Sequence, residues 1–450
     1  MEKVLAPRAS TPLTLPGPIS ARMLDELGKY VIATPYPFAL DLASCEGMWL
    51  QTVDGQRLFD WAGYYGSKLI GHNHPRLSEP DYVKRLVLAA NNKVANPDFL
   101  TQECLDYYRM LIRLAPASMG DQVEVYCVNS GAEAVENMMK YMVAKFNQKQ
   151  LNRGRTHTNR RFLYFDRAFH GRTVFALGIT QTIDPVATKD FHGLTSGGNV
   201  KLPFPSFDSD QSHTVNLKAA VRALEQLESA LSLMRDEIVG IIVEPIQGAG
   251  GHRMALPEFF QGLSRLCHEH DVYLGFDEVQ TGLGATGKMW GLDHFDLPHA
   301  PQAVASGKKF GCGVVYMREP LDDIGVLDST WGGTLADMVR VVQEMKIVED
   351  EGLIGLAAEN GARLEAGLKR VVSGCPFASN VRGLGLYQGF SLDTPARRSQ
   401  LVGHALRDHG LLLLGAGNRS IRTRPNLSVT AEDIDAFLAL LETCLAEIAE

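Results

Sequence analysis

The stretch QVEVYCV (122–128), which runs into SGAEAVENMMKYMVAKF (130–146), decides the fold class of this chain. The first segment is short and rich in valine and aromatic residues, and this composition predicts a strand. The second segment repeats apolar residues at helical spacing, which predicts a helix. A strand that leads at once into a helix is the unit from which α/β folds are built.

The same alternation continues through the middle of the chain. Helical patterns separate further apolar runs, and in one of them, 257–270, Pro257 suits a first helical turn. The apolar runs predict strands at 161–165, 239–243, 272–276, 302–306 and 313–317. Because near-continuous apolar strands are buried on both faces, we predict an α/β fold with a mostly parallel sheet between helices.

The two ends of the chain have a different pattern. From about residue 336, long helical patterns are followed by short predicted strands near 381–391 and 411–424 and by a closing helix. This order is typical of an α+β unit. We therefore predict a large domain over 61–335 and a smaller α+β domain over 336–450. The segment 1–60 is predicted to be an N-terminal arm that contributes part of the small domain.

Composition excludes several classes of function. The 450 residues are 45% hydrophobic and carry a net charge of −8, so the chain lacks the basic surface of a nucleic-acid-binding protein. No apolar run approaches the roughly 18 residues that span a membrane. The seven cysteines are scattered without a C-x-x-C pair, which argues against a disulfide framework or a zinc site. We expect a cytoplasmic protein that acts on small molecules and needs no metal.

The segment after the first strand is a candidate phosphate site. Ligands of an open parallel sheet bind beyond the carboxyl ends of its strands, so polar residues at those ends are candidate site residues. Ser130, Gly131 and Ala132 open a helix there, and the free backbone N–H groups of a helix start attract anions. The alternative is an ordinary capping box between Ser130 and Glu133.

Two charged residues follow later strands. Asp277 comes directly after the strand 272–276, where a carboxylate either caps a helix or holds a proton on the ring nitrogen of a ligand. Lys308 follows the strand 302–306. Burial among glycines and apolar strands would lower the pKa of this lysine and make its amine a nucleophile for a carbonyl. A surface position is the ordinary alternative, and we assign it to the neighbouring Lys309.

Two further turns contain candidate site residues. In 169–172 (FHGR), Phe169 offers either a stacking face or a core side chain, and in 329–333 (STWGG) a hydroxyl precedes a glycine pair. That hydroxyl either reaches a phosphate or belongs to a plain turn. Together the candidates supply a phosphate site, a ring-nitrogen partner, a stacking face and an amine nucleophile. Pyridoxal 5'-phosphate (PLP) requires these four groups from a protein.

Six motifs in order strengthen this interpretation, and they resemble those of the class III aminotransferases of PLP fold type I. The motifs are NSGAEAVENMMK (129–140), AFHGRT (168–173), VEPIQG (243–248), FDEVQTG (276–282), SGKK (306–309) and STWGG (329–333). In addition, IRTRPNL (421–427) resembles the arginine-bearing strand of the family. Within this family, the GKK, FHGRT and DSTWGGTLADMVR stretches are most similar to lysine 6-aminotransferases.

The resemblance implies a role for each matching residue. Lys308 would form a Schiff base with the PLP aldehyde and move a proton, and Asp277 would bond the pyridine nitrogen. Arg172 and Arg422 would bind substrate carboxylates, with Gln280 beside them. The implied PLP site also includes Ser130, Gly131, Ala132, Phe169, His170, Glu244, Val279, Gln280 and Thr330. Thr330 would come from the second subunit of a homodimer.

The implied reaction transfers a terminal amine, the ε-amine of L-lysine, to 2-oxoglutarate and yields a semialdehyde and glutamate. One residue departs from the pattern. Lysine, ornithine and 4-aminobutyrate aminotransferases resemble each other in a glutamate that masks the arginine matching Arg422, and this chain has Ala249 there. Arg422 is then unmasked unless Glu244 reaches it. An ω-transaminase for ornithine, 4-aminobutyrate or a diamine, with pyruvate or 2-oxoglutarate, therefore stays open.

One alternative comes from another class of enzyme. Residues 282–287 (GLGATG) match the G-x-G-x-x-G pattern of dinucleotide-binding proteins, which would indicate a nicotinamide-dependent oxidoreductase. An acidic segment separates this match from the preceding strand, and no clean helical pattern follows it. Both features are unlike a dinucleotide-binding turn, so we prefer the PLP interpretation.

Overall fold

A computed structural model describes residues 12–156, 159–181, 198–323 and 325–449. Its helices are α1 (Pro18–Leu27), α2 (Gly63–Gly66), α3 (Pro80–Ala90), α4 (Gln102–Arg113), α5 (Gly131–Asn152), α6 (Val174–Leu177), α7 (His213–Leu233), α8 (Pro257–Glu269), α9 (Leu335–Asp350), α10 (Leu353–Ser373), α11 (Pro395–His409) and α12 (Ala431–Glu447). Its strands are β1 (Trp49–Gln51), β2 (Arg57–Asp60), β3 (Glu124–Val128), β4 (Arg161–Phe165), β5 (Val200–Leu202), β6 (Ile238–Val243), β7 (Ile246–Gln247), β8 (Arg253–Met254), β9 (Tyr273–Asp277), β10 (Ala303–Ser306), β11 (Gly313–Met317), β12 (Ala378–Leu384), β13 (Tyr387–Leu392), β14 (Leu411–Leu412), β15 (Leu414–Ala416) and β16 (Ser420–Arg422).

A seven-stranded sheet forms the centre of the molecule. Its strand order is β3-β11-β10-β9-β6-β4-β5, and β11 runs antiparallel to both of its neighbours. The other strands run parallel to one another. The prediction of an α/β fold with a mostly parallel sheet is therefore confirmed. Because parallel strands end at one edge, the turns that follow β3, β4, β6, β9 and β10 lie together.

Helices cover both faces of this sheet. The six residues of β6, IVGIIV, are all buried, as expected for a strand between two helical layers. On one face α5 packs closely, because a Cβ atom at Gly275 would lie only 2.5 Å from the Cε atom of Met142. On the other face, the ring of Phe260 in α8 lies 6.1 Å from the ring of Phe276 in β9, measured between centroids.

The C-terminal part of the chain forms a second unit. An antiparallel sheet with the order β12-β13-β16-β15 packs against α10 and α11, and α12 packs on both helices. A separate sheet joins the two chain ends, because β14 pairs in parallel with β2 at Leu411 and Phe59. The domain boundaries 1–60, 61–335 and 336–450 stay a prediction. Among the described residues, no helix is both long and apolar enough to cross a membrane.

Candidate active site

The start of α5 forms one wall of the site. Ser130 is the N-cap of this helix, and its Oγ atom accepts the N–H of Glu133 at 3.2 Å. The capping interpretation of Ser130 is therefore correct, and the N–H groups of the first turn still point past the helix end. A Cβ atom at Gly131 would lie 2.8 Å from Val279, and one at Gly307 would lie 3.0 Å from Gly131. The turns after β3, β9 and β10 thus meet at Gly131.

The turn after β4 closes against the same helix. Gly171 has a φ of +136°, a conformation that favours glycine, and a Cβ atom there would lie 2.6 Å from the Cβ of Ala132. Phe169 is half-buried and belongs to none of the clusters of packed apolar side chains found in the described residues. Its ring is therefore available to a ligand, as the stacking interpretation requires.

A buried histidine–aspartate pair forms the floor of the site. Asp277 is the last residue of β9, and its Oδ2 atom lies 2.8 Å from Nδ1 of His170. The other carboxylate oxygen of Asp277 accepts the N–H of Val279 at 3.0 Å. Burial alone lowers the pKa of His170, but the hydrogen bond and charge of Asp277 and the charge of Glu244 raise it above its usual range. The contact with Asp277 thus favours the protonated form of the His170 ring.

Glu244 lies just behind this pair. Its Oε1 atom accepts the N–H of Phe169 at 2.9 Å, which fixes the turn that carries the aromatic ring. The pKa of Glu244 is raised to about 8, because burial and the charge of Asp277 raise it by more than the charge of His170 lowers it. Glu244 forms no ion pair with Arg422 within the described ranges, so it does not mask that arginine.

Lys308 stands on a strained turn at the end of β10. Its backbone is left-handed, with a φ of +51°, which costs roughly 1–2 kcal/mol for a residue with a side chain. Such strain concentrates at functional sites. Burial and the charges of Arg424 and Arg422 lower the pKa of Lys308 to about 8, while Asp277 acts in the opposite direction. The side chain is therefore close to Asp277 and carries an amine that is neutral above about pH 8.

The prediction that Lys309 lies at the surface is wrong. This side chain is only 4% exposed, and its Nζ atom donates to the carbonyl oxygens of Gln280 (3.1 Å) and Gly66 (3.4 Å). Burial and the charges of Lys308 and Arg424 lower its pKa to about 7. Lys309 is packed inside because the 3₁₀ turn over Lys308–Phe310 rotates the second lysine away from solvent.

Two arginines converge on the turn after β6. A Cβ atom at Gly248 would lie 3.1 Å from Nη1 of Arg422, 3.2 Å from Nη2 of Arg424 and 2.3 Å from the hydroxyl of Tyr387. Arg422 is 8% exposed, and its Nε and Nη1 atoms have no hydrogen-bond partner among the residues that the structure describes. Burial and the charge of Arg424 lower the pKa of Arg422 to about 9. An anion in this position would satisfy both donors of the buried guanidinium.

The sequence interpretation missed Arg424, Tyr387 and His252. Arg424 donates to Tyr387 at 3.2 Å, and both are buried. The ring of His252 lies edge-on to Tyr387 at 4.5 Å between centroids, and neither of its nitrogens has a hydrogen-bond partner within the described part of the chain. Burial and the charges of Arg382, Arg424 and Arg422 hold the pKa of His252 well below its usual range. The spacing of the two arginines in IRTRPNL was a usable signal, because residues i and i+2 share one face of an extended chain.

Two predicted residues lie apart from this buried cluster. Arg172 is exposed two positions beyond His170, and Thr330 is exposed in the turn before α9. That turn is tied to the start of α5, because Nδ2 of Asn129 donates to Oγ of Ser329 at 3.2 Å. Gln280 is half-buried, and none of the described residues hydrogen-bonds to its Oε1 atom.

The glycine-rich stretch 282–287 does not have the geometry of a dinucleotide site. It forms turns after β9, and the next helical element is only a short 3₁₀ turn over Gly291–His294. A Cβ atom at Gly287 would lie 2.9 Å from the backbone of Ala358 in α10, so this glycine allows close packing. The strand, turn and helix that a pyrophosphate requires are not present at this position.

Comparisons with known proteins agree with this geometry. The model of the family Aminotransferase class-III matches residues 31–445. The L-lysine-epsilon aminotransferase of Mycobacterium tuberculosis (strain ATCC 25618 / H37Rv) is 33% identical over 442 residues, which cover 94% of this chain and 95% of that protein. The enzyme of the same name from Amycolatopsis lactamdurans is 32% identical and covers 96% and 97% of the two chains.

A solved structure shows the same similarity in three dimensions. The lysine aminotransferase from M. tuberculosis superposes with a TM-score of 0.89 at 31% identity, covering 95% of this chain and 99% of that one. The match extends over the N-terminal segment, the large sheet and the C-terminal unit. The chain therefore belongs to the class III aminotransferases and is a PLP-dependent enzyme of fold type I.

Proposed function

We propose that this enzyme transfers the ε-amino group of L-lysine to 2-oxoglutarate, with a semialdehyde that cyclises and glutamate as products. The observation that carries the transamination is the meeting of Lys308, the His170–Asp277 pair and the start of α5 at one edge of the sheet. The choice of L-lysine rests on the relatives named for that donor, which match almost the whole chain.

The residues present fit PLP. The close packing of Gly131 on Val279 leaves no space for a side chain, so the first turn of α5 presents bare N–H groups to a phosphate. The carboxylate of Asp277, buried beside His170, suits a protonated ring nitrogen. We infer that Ser130, Gly131, Ala132 and Thr330 hold the phosphate. We infer that Phe169 and Val279 cover the two faces of the ring, with Glu244 and Gln280 near its substituents.

When bound, PLP supplies an electron sink for the carbon that bears the reacting amine. Asp277 keeps the ring nitrogen protonated, and His170 holds the carboxylate in position and balances its charge. Lys308 would anchor the cofactor covalently through its Nζ atom, and that amine would move a proton to and from the substrate carbon. The helices on both sheet faces exclude water from this floor.

The two substrates place their carboxylates differently. In lysine, the reacting nitrogen and the carboxylate are at opposite ends of the molecule, so the exposed Arg172 suits the donor carboxylate. In 2-oxoglutarate, one carboxylate adjoins the reacting carbon, and Arg422 beside Lys308 suits it. A buried guanidinium with unpaired donors favours a bidentate contact of this kind.

The low pKa of Lys308 predicts how cofactor capture depends on pH. The rate at which apoenzyme binds PLP covalently should rise with pH and reach half its maximum near pH 8, because only the neutral amine attacks the aldehyde. An exposed lysine would give a midpoint near its usual pKa of about 10.4. Stopped-flow absorbance measures the rate. In Arg422→Met the midpoint should move upward, and a wild-type midpoint near that of free lysine would contradict the assignment.

Ala249 favours a second candidate, an ω-transaminase for another amine or ω-amino acid. No carboxylate of the described residues pairs with Arg422. The affinity of the enzyme for a donor therefore depends on whether the donor carries a carboxylate that reaches this arginine. The decisive experiment is a donor panel of L-lysine, L-ornithine and 4-aminobutyrate with 2-oxoglutarate or pyruvate. L-lysine should give the highest kcat/KM. Turnover of another donor without turnover of L-lysine would contradict the first proposal.

A glutamate introduced at position 249 should weaken the binding of 2-oxoglutarate to Arg422. Ala249 is half-buried next to Gly248, whose neighbour is Nη1 of Arg422. In Ala249→Glu the new carboxylate should pair with Arg422, and KM for 2-oxoglutarate should rise about tenfold or more, since a charged hydrogen bond contributes about 1.5–3 kcal/mol. Ala249→Gln is the control of equal size. Equal KM values in both variants would show that Arg422 does not bind the acceptor.

We infer a homodimer from the surface around Thr330. Asn96 donates to the carbonyl of Trp331 at 3.0 Å, which places the exposed Phe99 and Leu100 near the exposed Trp331. Exposed apolar side chains grouped in this way are typical of a protein interface. This grouping supports the inference that a second subunit covers this face and that Thr330 acts across the interface.

Phe99→Asp should therefore yield a monomer with weakened PLP binding. Light scattering should give twice the chain mass of 49.4 kDa for the wild-type protein and a single chain for the variant. Leu151→Asp, which changes an exposed leucine at the far end of α5, is the control and should remain dimeric. A fully active wild-type monomer would contradict the inference.

We also infer a cytoplasmic location. All seven cysteines are free and buried, which is typical of a protein kept in a reducing compartment. Fractionation of the native cells, with detection by antibody, tests this inference.

A further inference from the structure

A cluster of metal-ligating side chains lies away from the PLP site. His404 and His409 belong to the last turns of α11, and Glu447 is the last residue of α12. One ligand atom from each of these residues lies within 4.8 Å of the others. The cluster stands where two helices end side by side, in the C-terminal unit of the fold.

We propose that His404, His409 and Glu447 form a binding site for a zinc ion, with Asp408 as the residue that orients His404. The sequence pattern alone predicted no metal. Glu447 lies 38 residues beyond His409, and only the fold brings it to the two histidines. The site is independent of the transamination chemistry.

The distances favour a shared cation. The Oε2 atom of Glu447 lies 2.7 Å from Nε2 of His404 and 2.5 Å from Nε2 of His409. The two imidazole nitrogens therefore share one carboxylate oxygen, and all three ligand atoms lie within 4.8 Å of one another. In a tetrahedral zinc site with bonds of about 2.0–2.1 Å, ligand atoms stand about 3.3 Å apart. Each histidine nitrogen therefore needs to part from the Glu447 oxygen by less than about 1 Å to accept the ion.

Asp408 supplies the second observation. Its Oδ2 atom lies 2.7 Å from Nδ1 of His404, so both ring nitrogens of this histidine face carboxylate oxygens. A cation between Nε2 of His404 and Oε2 of Glu447 would bind the lone pairs of both atoms. A carboxylate close to Nδ1 is the usual partner of a histidine that binds zinc through Nε2.

The surroundings also suit a divalent cation. The C-terminal ends of α11 and α12 lie at the cluster, and each is the negative end of its helix dipole. The side chains of His404, His409 and Glu447 are 22%, 15% and 45% exposed, so an ion can enter and a water can complete its coordination. Two imidazoles and one carboxylate are a ligand set typical of zinc. The ion would link α12 to α11. The chain then continues from α11 through Gly410 into β14.

Zinc binding to the PLP-loaded enzyme tests the proposal. After equilibrium dialysis against zinc chloride, the wild-type protein should retain one zinc ion per chain at this site. His404→Gln, His409→Gln and Glu447→Gln should lose that ion. Asp408→Asn keeps all three ligands, and its zinc affinity should be about 10- to 100-fold weaker, as for other carboxylates that hold a zinc-bound histidine.

The control is His213→Gln, which changes an exposed histidine on α7 and should leave zinc binding intact. The glutamate is half-exposed at a helix end, so Glu447→Gln tests the site even if a histidine variant folds poorly. Zinc should raise the thermal unfolding midpoint of the wild-type protein and not that of Glu447→Gln. Equal zinc retention by the wild-type protein and all ligand variants, or no retention by the wild-type protein, would overturn the proposal.

Discussion

Replacing Lys308 by alanine should abolish transamination and remove the absorbance of covalently held PLP. Lys308 carries a depressed pKa that the charge of Asp277 partly offsets, and general acid–base groups alone contribute about 10²–10⁴-fold to rate. Loss of the covalent anchor adds to that loss, so kcat should fall at least about 10⁴-fold. Glutamate production from L-lysine and 2-oxoglutarate measures the rate, and the visible spectrum measures the cofactor.

Lys309→Met provides the matched control. This neighbouring lysine is buried and also has a lowered pKa, but its Nζ atom is held by the carbonyl oxygens of Gln280 and Gly66. The variant should lose stability while it keeps the covalent absorbance. If Lys309→Met lost the absorbance and Lys308→Ala kept it, the assignment of the nucleophile would be reversed.

Asp277→Asn should cause the second-largest loss. The change removes the carboxylate that lies 2.8 Å from Nδ1 of His170 in a buried position, and an unsatisfied buried hydrogen-bonding group costs about 1–3 kcal/mol. The ring nitrogen of PLP also loses the group that keeps it protonated. We expect kcat to fall at least about 100-fold at saturating PLP, because about 1.4 kcal/mol in the barrier corresponds to a factor of ten.

Glu278→Gln is the control for Asp277→Asn. Glu278 is the adjacent buried acid, and it accepts the N–H groups of Gly291 and Leu292 at 3.0 and 2.7 Å instead of facing His170. This variant should unfold at a lower temperature and yet keep most of its kcat. Equal losses of kcat in the two variants would mean that Asp277 acts only through stability.

The sequence alone predicted the elements that have local causes. The run RFLYF gave a strand with the bounds that the structure shows for β4, and the predicted helix over 257–270 corresponds to α8. Strand and helix patterns depend on neighbouring residues, so they can be recognised without the fold. The positions of Gly131, Asp277 and Lys308 at strand ends followed from the same patterns, because parallel strands share one edge.

The missed features have causes distant in sequence. The helix α11 was not predicted, since arginine and glycine interrupt its apolar pattern, and its burial comes from packing on α12. The burial of Lys309 depends on Gly66, which is 243 residues away. The convergence of Arg424 and Tyr387 on Gly248 likewise requires the C-terminal sheet to fold over the turn after β6.

The central claim is that one lysine, Lys308, holds the cofactor beside the carboxylate of Asp277. Borohydride reduction of the purified enzyme, followed by proteolysis and mass spectrometry, tests it most directly because reduction fixes the cofactor on its attachment site. We predict a single modified peptide in which the pyridoxyl group is on Lys308. A pyridoxyl group on Lys309 or on another lysine, or an unmodified protein, would contradict the account.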